Sequence, residues 1–205
     1  AGIGLGRYPD AYFWTIENPG VPGSLALHRD AGGRYMQLGG PRGVRSGDES
    51  LLLTQRIPVA TESWVHYRFK ARSAQDLGIA LHLCRKHLLY DDFCTRVSIP
   101  LKGRDGWQSF EGIFPEPLAG PGIPPRLATF SVSMNSRTQV DVDAFELVDS
   151  QLRPLLRNGD FEQGNDFWFF TSDRDHLPWH AKNLFVHTYV EQGLLGLVAL
   201  VLALS

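Results

Sequence analysis

The chain has almost no charge of either sign to spare: 20 Lys and Arg stand against 22 Asp and Glu. That balance supplies no basic surface, so a nucleic-acid partner is not expected. Cysteine is scarce as well. The 2 residues present are not joined by a second Cys/His pair at the short spacing a zinc site uses, so a zinc site is not expected; no cofactor is expected either. Convincing amphipathic helices are missing between Ser24 and Val148, while 21 Gly and 13 Pro are spread along the chain. Such punctuation suits short strands joined by turns better than helices. Neither an initiator Met nor a secretory leader opens the sequence, which starts at "AGIGLG" and stops inside an apolar run. The expectation is a fragment of a longer protein.

What the middle does contain is a period of two. In "WVHYRFKAR" Val65, Tyr67, Phe69 and Ala71 share one side, and His66, Arg68 and Lys70 the other. "LLLTQRIPV", "LGIALHLC", "FCTRVSI", "RLATFSVSM" and "TQVDVDAFEL" repeat the pattern. Near Ala144 the apolar parity switches from Val140 and Val142 to Phe145 and Leu147, which predicts a bulge or a strand end. About eight strands of this kind argue for a mainly β fold, an antiparallel, jelly-roll-like β-sandwich over residues 21–150. Residues 1–20 and 151–179 are read as flanking segments, and 180–205 as a C-terminal helix.

Cys84 closes one of these strands and Cys94 opens the next. Parity sets Cys84 with Ala80 and His82, and Cys94 with Arg96 and Ser98, so both thiols leave the apolar face. Thiols on the same side of neighbouring strands can come within disulfide reach, and a bridge implies an oxidising compartment. The other reading is two unpaired thiols. Trp64, Trp107, Tyr35 and Tyr90 are candidates for stacking on sugar rings, although aromatic residues in sandwiches are mostly packing. The alternating Asp residues of "VDVDAFEL" read as a wet strand face.

The C-terminal "PWHAKNLFVHTYVEQGLLGLVALVLALS" reads as a helix starting near Pro178. At about 100° per residue, His180, Asn183, His187 and Glu191 fall within about 80° of one another. After Gln192 the polar face vanishes. The apolar run is too short to span a bilayer, which needs about 20 residues, and is read as the start of a transmembrane helix. A metal site from His180, His187 and Glu191 lacks the H-E-x-x-H spacing.

Within that stretch, "HAKNLFVHTYVEQGLLGL" resembles the signature of the O-antigen ligase/polymerase superfamily of bacterial inner-membrane proteins. The opening "AGIGLGRYPDAYFW" resembles the segment that begins the family's periplasmic loop. "LLRNGDFEQGNDFW" is similar to a phrase that recurs in carbohydrate-binding modules, so the sandwich looks like an insertion of that type. The resemblance implies a mostly periplasmic fragment of a membrane glycosyltransferase. It would act on undecaprenyl-diphosphate-linked glycan and a lipid or sugar acceptor, without a metal. His180 or His187 would then be the base, Asn183 would orient the acceptor, and Glu191 completes the stripe. Arg7, Lys182 and Arg174 would contact the diphosphate. One departure is that the family's His before Asn183 is Lys182 here. The competing reading is a non-catalytic, membrane-anchored periplasmic glycan-binding module.

Overall fold

The computed structural model describes residues 25–40, 51–58, 64–87, 90–118, 127–134, 136, 138–171 and 183–204. Its strands are β1 (Leu25–Asp30), β2 (Gly33–Gly39), β3 (Leu51–Ile57), β4 (Val65–Ser73), β5 (Leu77–His87), β6 (Tyr90–Leu101), β7 (Arg104–Ile113), β8 (Leu127–Met134), β9 (Gln139–Asp149) and β10 (Trp168–Thr171). They build two antiparallel sheets: sheet A in the order β1-β2-β9-β4-β7, and sheet B in the order β10-β3-β8-β5-β6. The expected sandwich is therefore the observed fold.

Alternation of branched and aromatic residues with polar ones is what makes these segments strands. Along β4 the buried and exposed positions follow the expected parity, with Val65, Tyr67, Phe69 and Ala71 turned inward. The switch in β9 is a bulge: Ala144 has φ 51°, and the pairing of β4 with β9 shifts between Arg68 and Lys70. One extra residue reverses the side on which the following side chains emerge. Val140 and Val142 before the bulge, and Phe145 and Leu147 after it, consequently all reach the core.

The sandwich continues past residue 150, the expected boundary. Strand β10 pairs with β3, and both Phe161 and Trp168 are wholly buried. Sequence periodicity missed this because β10 is only four residues long. The loop before it is built on Asn158, whose side chain donates to the carbonyls of Gly164 and Asp166 and accepts from the N–H of Gln163. Glycine is required at 159, where an added Cβ would meet the Phe145 carbonyl oxygen at 1.9 Å. Trp168 donates its indole N–H to the carbonyl of Asn158 at 2.9 Å, so the ring enters the core without stranding its polar atom. Glu162 then fastens this loop to the β1–β2 hairpin, accepting from the N–H of Arg34 at 2.7 Å and from Arg29.

The C-terminal helix α1 is Leu184–Leu204, and the expected start at Pro178 lies outside the described residues. Asn183 is its N-cap: the carboxamide oxygen accepts from the N–H groups of Phe185 and Val186. Nor is the helix continuous, since Gly193 has φ 74° and ψ −166° and breaks it in two. Leu194, Leu195, Leu202 and Leu204 are exposed. Among the described residues no helix is long and apolar enough to cross a membrane.

Cys84 and Cys94 stand directly opposite on β5 and β6 and form a disulfide, with a Cα–Cα distance of 4.1 Å. Replacing both with serine is expected to lower stability by about 2–3 kcal/mol on the chain-entropy account of so short a loop. Urea unfolding of the two proteins without reductant measures this, and equal midpoints would count against it.

Two carboxylates tie the last third of the sandwich down. Burial pushes the Asp149 carboxyl up, but the N–H and guanidinium of Arg153 and the N–H of Gln151 bring it below its ordinary value. The N–H of Arg34 does most to hold Glu162 low, helped by Arg29. A carboxyl with a depressed folded pKa contributes stability that is complete above its unfolded value, near 4, and is lost as pH falls through the folded one. Thermal unfolding should therefore come at falling temperature below about pH 4. The acid limb should be shallower for Asp149→Asn and Glu162→Gln; an unchanged limb in both variants would remove these groups from the account.

Candidate functional site

The outward side of sheet A gathers side chains that parity marked only as wet. His28 and Tyr35 are cross-strand partners on β1 and β2, and their rings stack at 5.5 Å with an interplanar angle of 21°. On the adjoining strands, Arg72 of β4 pairs in register with Asp141 of β9. Its Nε donates to Asp141 Oδ2 at 2.8 Å, and its Nη1 to Asp30 Oδ2 at 3.3 Å. Asp141 uses its other oxygen to accept from Gln37 at 3.0 Å, while Asp30 uses its own to accept from the N–H of Gly32 in the hairpin turn.

Trp107 reaches this group through a second irregularity. Between Ala71 and Ser73 the pairing of β4 with β7 slips from Gln108 to Arg104, so β7 carries extra residues opposite Arg72. Bulges re-aim side chains, and here the indole arrives beside the guanidinium. The central carbon of the Arg72 guanidinium lies 4.7 Å from the Tyr35 ring centre and 4.4 Å from that of Trp107. The two rings meet edge to face at 5.5 Å. Each such cation–ring contact contributes about 0.5–2 kcal/mol, depending on how dry it is. With its side chain 23% exposed, Arg72 is well sheltered. Burial pulls its pKa down, but the bond and the charge of Asp141, together with Tyr35 and the charge of Asp30, outweigh this, so the group stays charged. His28 Nε2 is shielded from solvent and has no hydrogen-bond partner among the described residues.

Further along the same face lies an open pocket of about 380 Å³, lined by His66, Arg68, Glu111, Ile113, Glu146 and Leu152 among others. Arg68 faces Glu111 at 3.6 Å and Glu146 at 3.7 Å. All three are mostly exposed, and pairs so solvated contribute at most about 1 kcal/mol each. Between the two groups, Lys70 stands opposite Asp143. Burial raises the Asp143 carboxyl above its ordinary value, partly offset by the N–H of Ala144 and by Lys70. The outer face of sheet B differs in kind: small hydroxyls pair with each other and with His82, as in Thr54 with Ser131 and His82 with Ser133.

Of the aromatic residues singled out for sugar stacking, Tyr35 and Trp107 are brought together. Trp64 sits at the opposite end of β4 from Arg72 and is 49% exposed. The side chain of Tyr90 lies outside the described residues, as does that of Glu191. Arg7, Arg174, His180 and Lys182 lie outside them altogether. In the helical stripe, His187 is half-buried and Asn183 caps the helix. Sequence reasoning missed Arg72, Asp141, Asp30, Gln37 and His28. Their signal was the outward parity of each strand, which marks a face but not which residues on it meet.

No protein-family model and no curated protein matches the chain, so the resemblance to the O-antigen ligase/polymerase superfamily finds no support there. Among solved structures, the chain is similar to the apo form of the PbXyn10C carbohydrate-binding module, at 14% identity and a TM-score of 0.48, over 79% of this chain and 96% of that one. It is similar to the module TmCBM61 in complex with β-1,4-galactotriose, at 13% identity and 0.39, over 62% and 82%. A third similarity is to the arabinose-bound MgGH51 α-L-arabinofuranosidase, at 13% and 0.43, over 65% of this chain and 23% of that one. Two of these neighbours are carbohydrate-binding modules; at such scores they add no argument to what the sheets themselves display.

Proposed function

We propose that the protein is a non-catalytic glycan-binding module whose site is the outward face of sheet A. The observation that carries this reading is Arg72 lodged in the corner formed by Tyr35 and Trp107 and tied to Asp141 and Asp30. A sugar offers an apolar C–H face and a rim of hydroxyls. It needs a flat ring to pack on and fixed polar groups around it, which this cluster combines. Tyr35 carries His28 as well as Arg72, whereas Trp107 carries Arg72 without a second stacked group among the described residues, so the half-exposed Trp107 is the stacking ring, and the neighbouring carboxylates accept hydroxyl protons. Glycan transfer is not part of the proposal. The one carboxamide that the resemblance made an acceptor-orienting group, that of Asn183, is occupied in capping α1.

The disulfide suits an oxidising compartment, and the exposed leucines of α1 suit a lipid surface. We therefore read the module as extracytoplasmic, on the periplasmic side, with α1 holding it at the membrane. Flotation with phosphatidylcholine vesicles tests the anchor: the chain should float, and a chain ended at Gln192 should stay below. Equal behaviour of the two would remove α1 from membrane attachment.

Affinity electrophoresis in gels containing soluble polysaccharide tests the site. Trp107→Ala should weaken retardation at least tenfold in apparent affinity, equivalent to about 1.4 kcal/mol, with unfolding still cooperative. Trp64→Ala, at the far end of β4, should leave it within about twofold. If Trp107→Ala binds like the parent, the face is not the site.

A further inference from the structure

We infer that this face discriminates by charge, accepting neutral glycans and rejecting anionic ones such as uronates and sulfated sugars. The inference rests on the glycan-binding reading and deepens it. Recognition of an anionic sugar calls for a cation with an edge to offer, above all an arginine presenting paired N–H donors to the carboxylate or sulfate. The two outward arginines of β4 are already committed. Arg72 meets Asp30 and Asp141, and its guanidinium lies in the corner formed by the Tyr35 and Trp107 rings. Arg68 meets Glu111 and Glu146.

Each arginine thus stands between two carboxylates, so each group carries one surplus negative charge. Lys70 does not redress this, because it stands opposite Asp143. Along β4 the outward cations recur at positions 68, 70 and 72, and every one has acid beside it. A ligand carboxylate laid along the strand would face net negative charge at both ends. For a neutral sugar the same carboxylates are assets, since they accept from adjacent hydroxyls with charge-assisted bonds. The repulsion is between partly exposed charges, so added salt weakens it over a Debye length of about 8–10 Å.

The test uses the full chain in affinity gels carrying neutral polymers (galactan, arabinan, xylan and mixed-linkage glucan) or anionic ones (polygalacturonate, alginate and heparin). Binding to at least one neutral polymer is expected, with every anionic polymer at least tenfold weaker. Asp30→Asn, which leaves Arg72 with one carboxylate, should narrow that gap several-fold, and so should 0.5 M NaCl with the unaltered chain. Should Asp30→Asn fail to fold, the salt series decides alone. Stronger binding of an anionic polymer than of any neutral one overturns the charge inference and leaves glycan binding standing. A gap that neither salt nor Asp30→Asn changes also overturns it, because the rejection would then be steric. Binding of no polymer overturns the glycan-binding reading, and this inference with it.

Discussion

Phe145 is the contact on which the two sheets depend. Its ring stacks on Phe69 of its own sheet at 5.2 Å and 10°, and meets Phe130 of the facing sheet edge-on at 5.7 Å. Trp168 lies 5.8 Å away and Phe161 6.3 Å away, so the loop and strand that close the sandwich converge on the same ring. Aromatic pairs of this sort contribute about 0.5–1.5 kcal/mol beyond the area they bury. The bulge at Ala144 is what permits it, since an unbroken β9 would turn Phe145 outward with Asp141 and Asp143. Gly159 completes the arrangement by letting the following loop lie directly on the Phe145 carbonyl.

The outward face follows from the same irregularities. Before the bulge, β9 sends Asp141 and Asp143 to the outer face; beyond it, Glu146 emerges there instead. The slip between β4 and β7 delivers Trp107 to Arg72. An arginine suits the corner formed by two nearly perpendicular rings because its guanidinium is flat and remains charged even when sheltered. It also needs acids beside it, as a half-buried cation left unpaired would be costly. Packing and charge on this face therefore cannot be chosen independently.

The C-terminal helix obeys different rules. Its first turn is set by one side chain, Asn183, and its middle by one backbone angle at Gly193. Past Gln192 it has no polar face to keep in water, and leucines stand exposed there. A side chain that caps a helix has its oxygen occupied, which alters what a row of polar residues on a helical wheel can be expected to do. The angular grouping of Asn183 with His187 was legible; the cap was not.

The sequence by itself determined the strand periodicity, the sandwich class, the bulge near Ala144, the Cys84–Cys94 bridge and the apolar character of the last helix. These depend on residues close together along the chain, where side-chain alternation and spacing suffice. Only the tertiary structure decided that residues 151–171 belong to the sandwich, because four-residue β10 has too little periodicity to stand out, and Phe161 and Trp168 find their contacts across the core. It alone decided that Tyr35, Arg72, Trp107, Asp141 and Asp30 meet. They come from strands whose neighbours are fixed by the order β1-β2-β9-β4-β7, and local alternation says which way a side chain points but not which strand lies beside it.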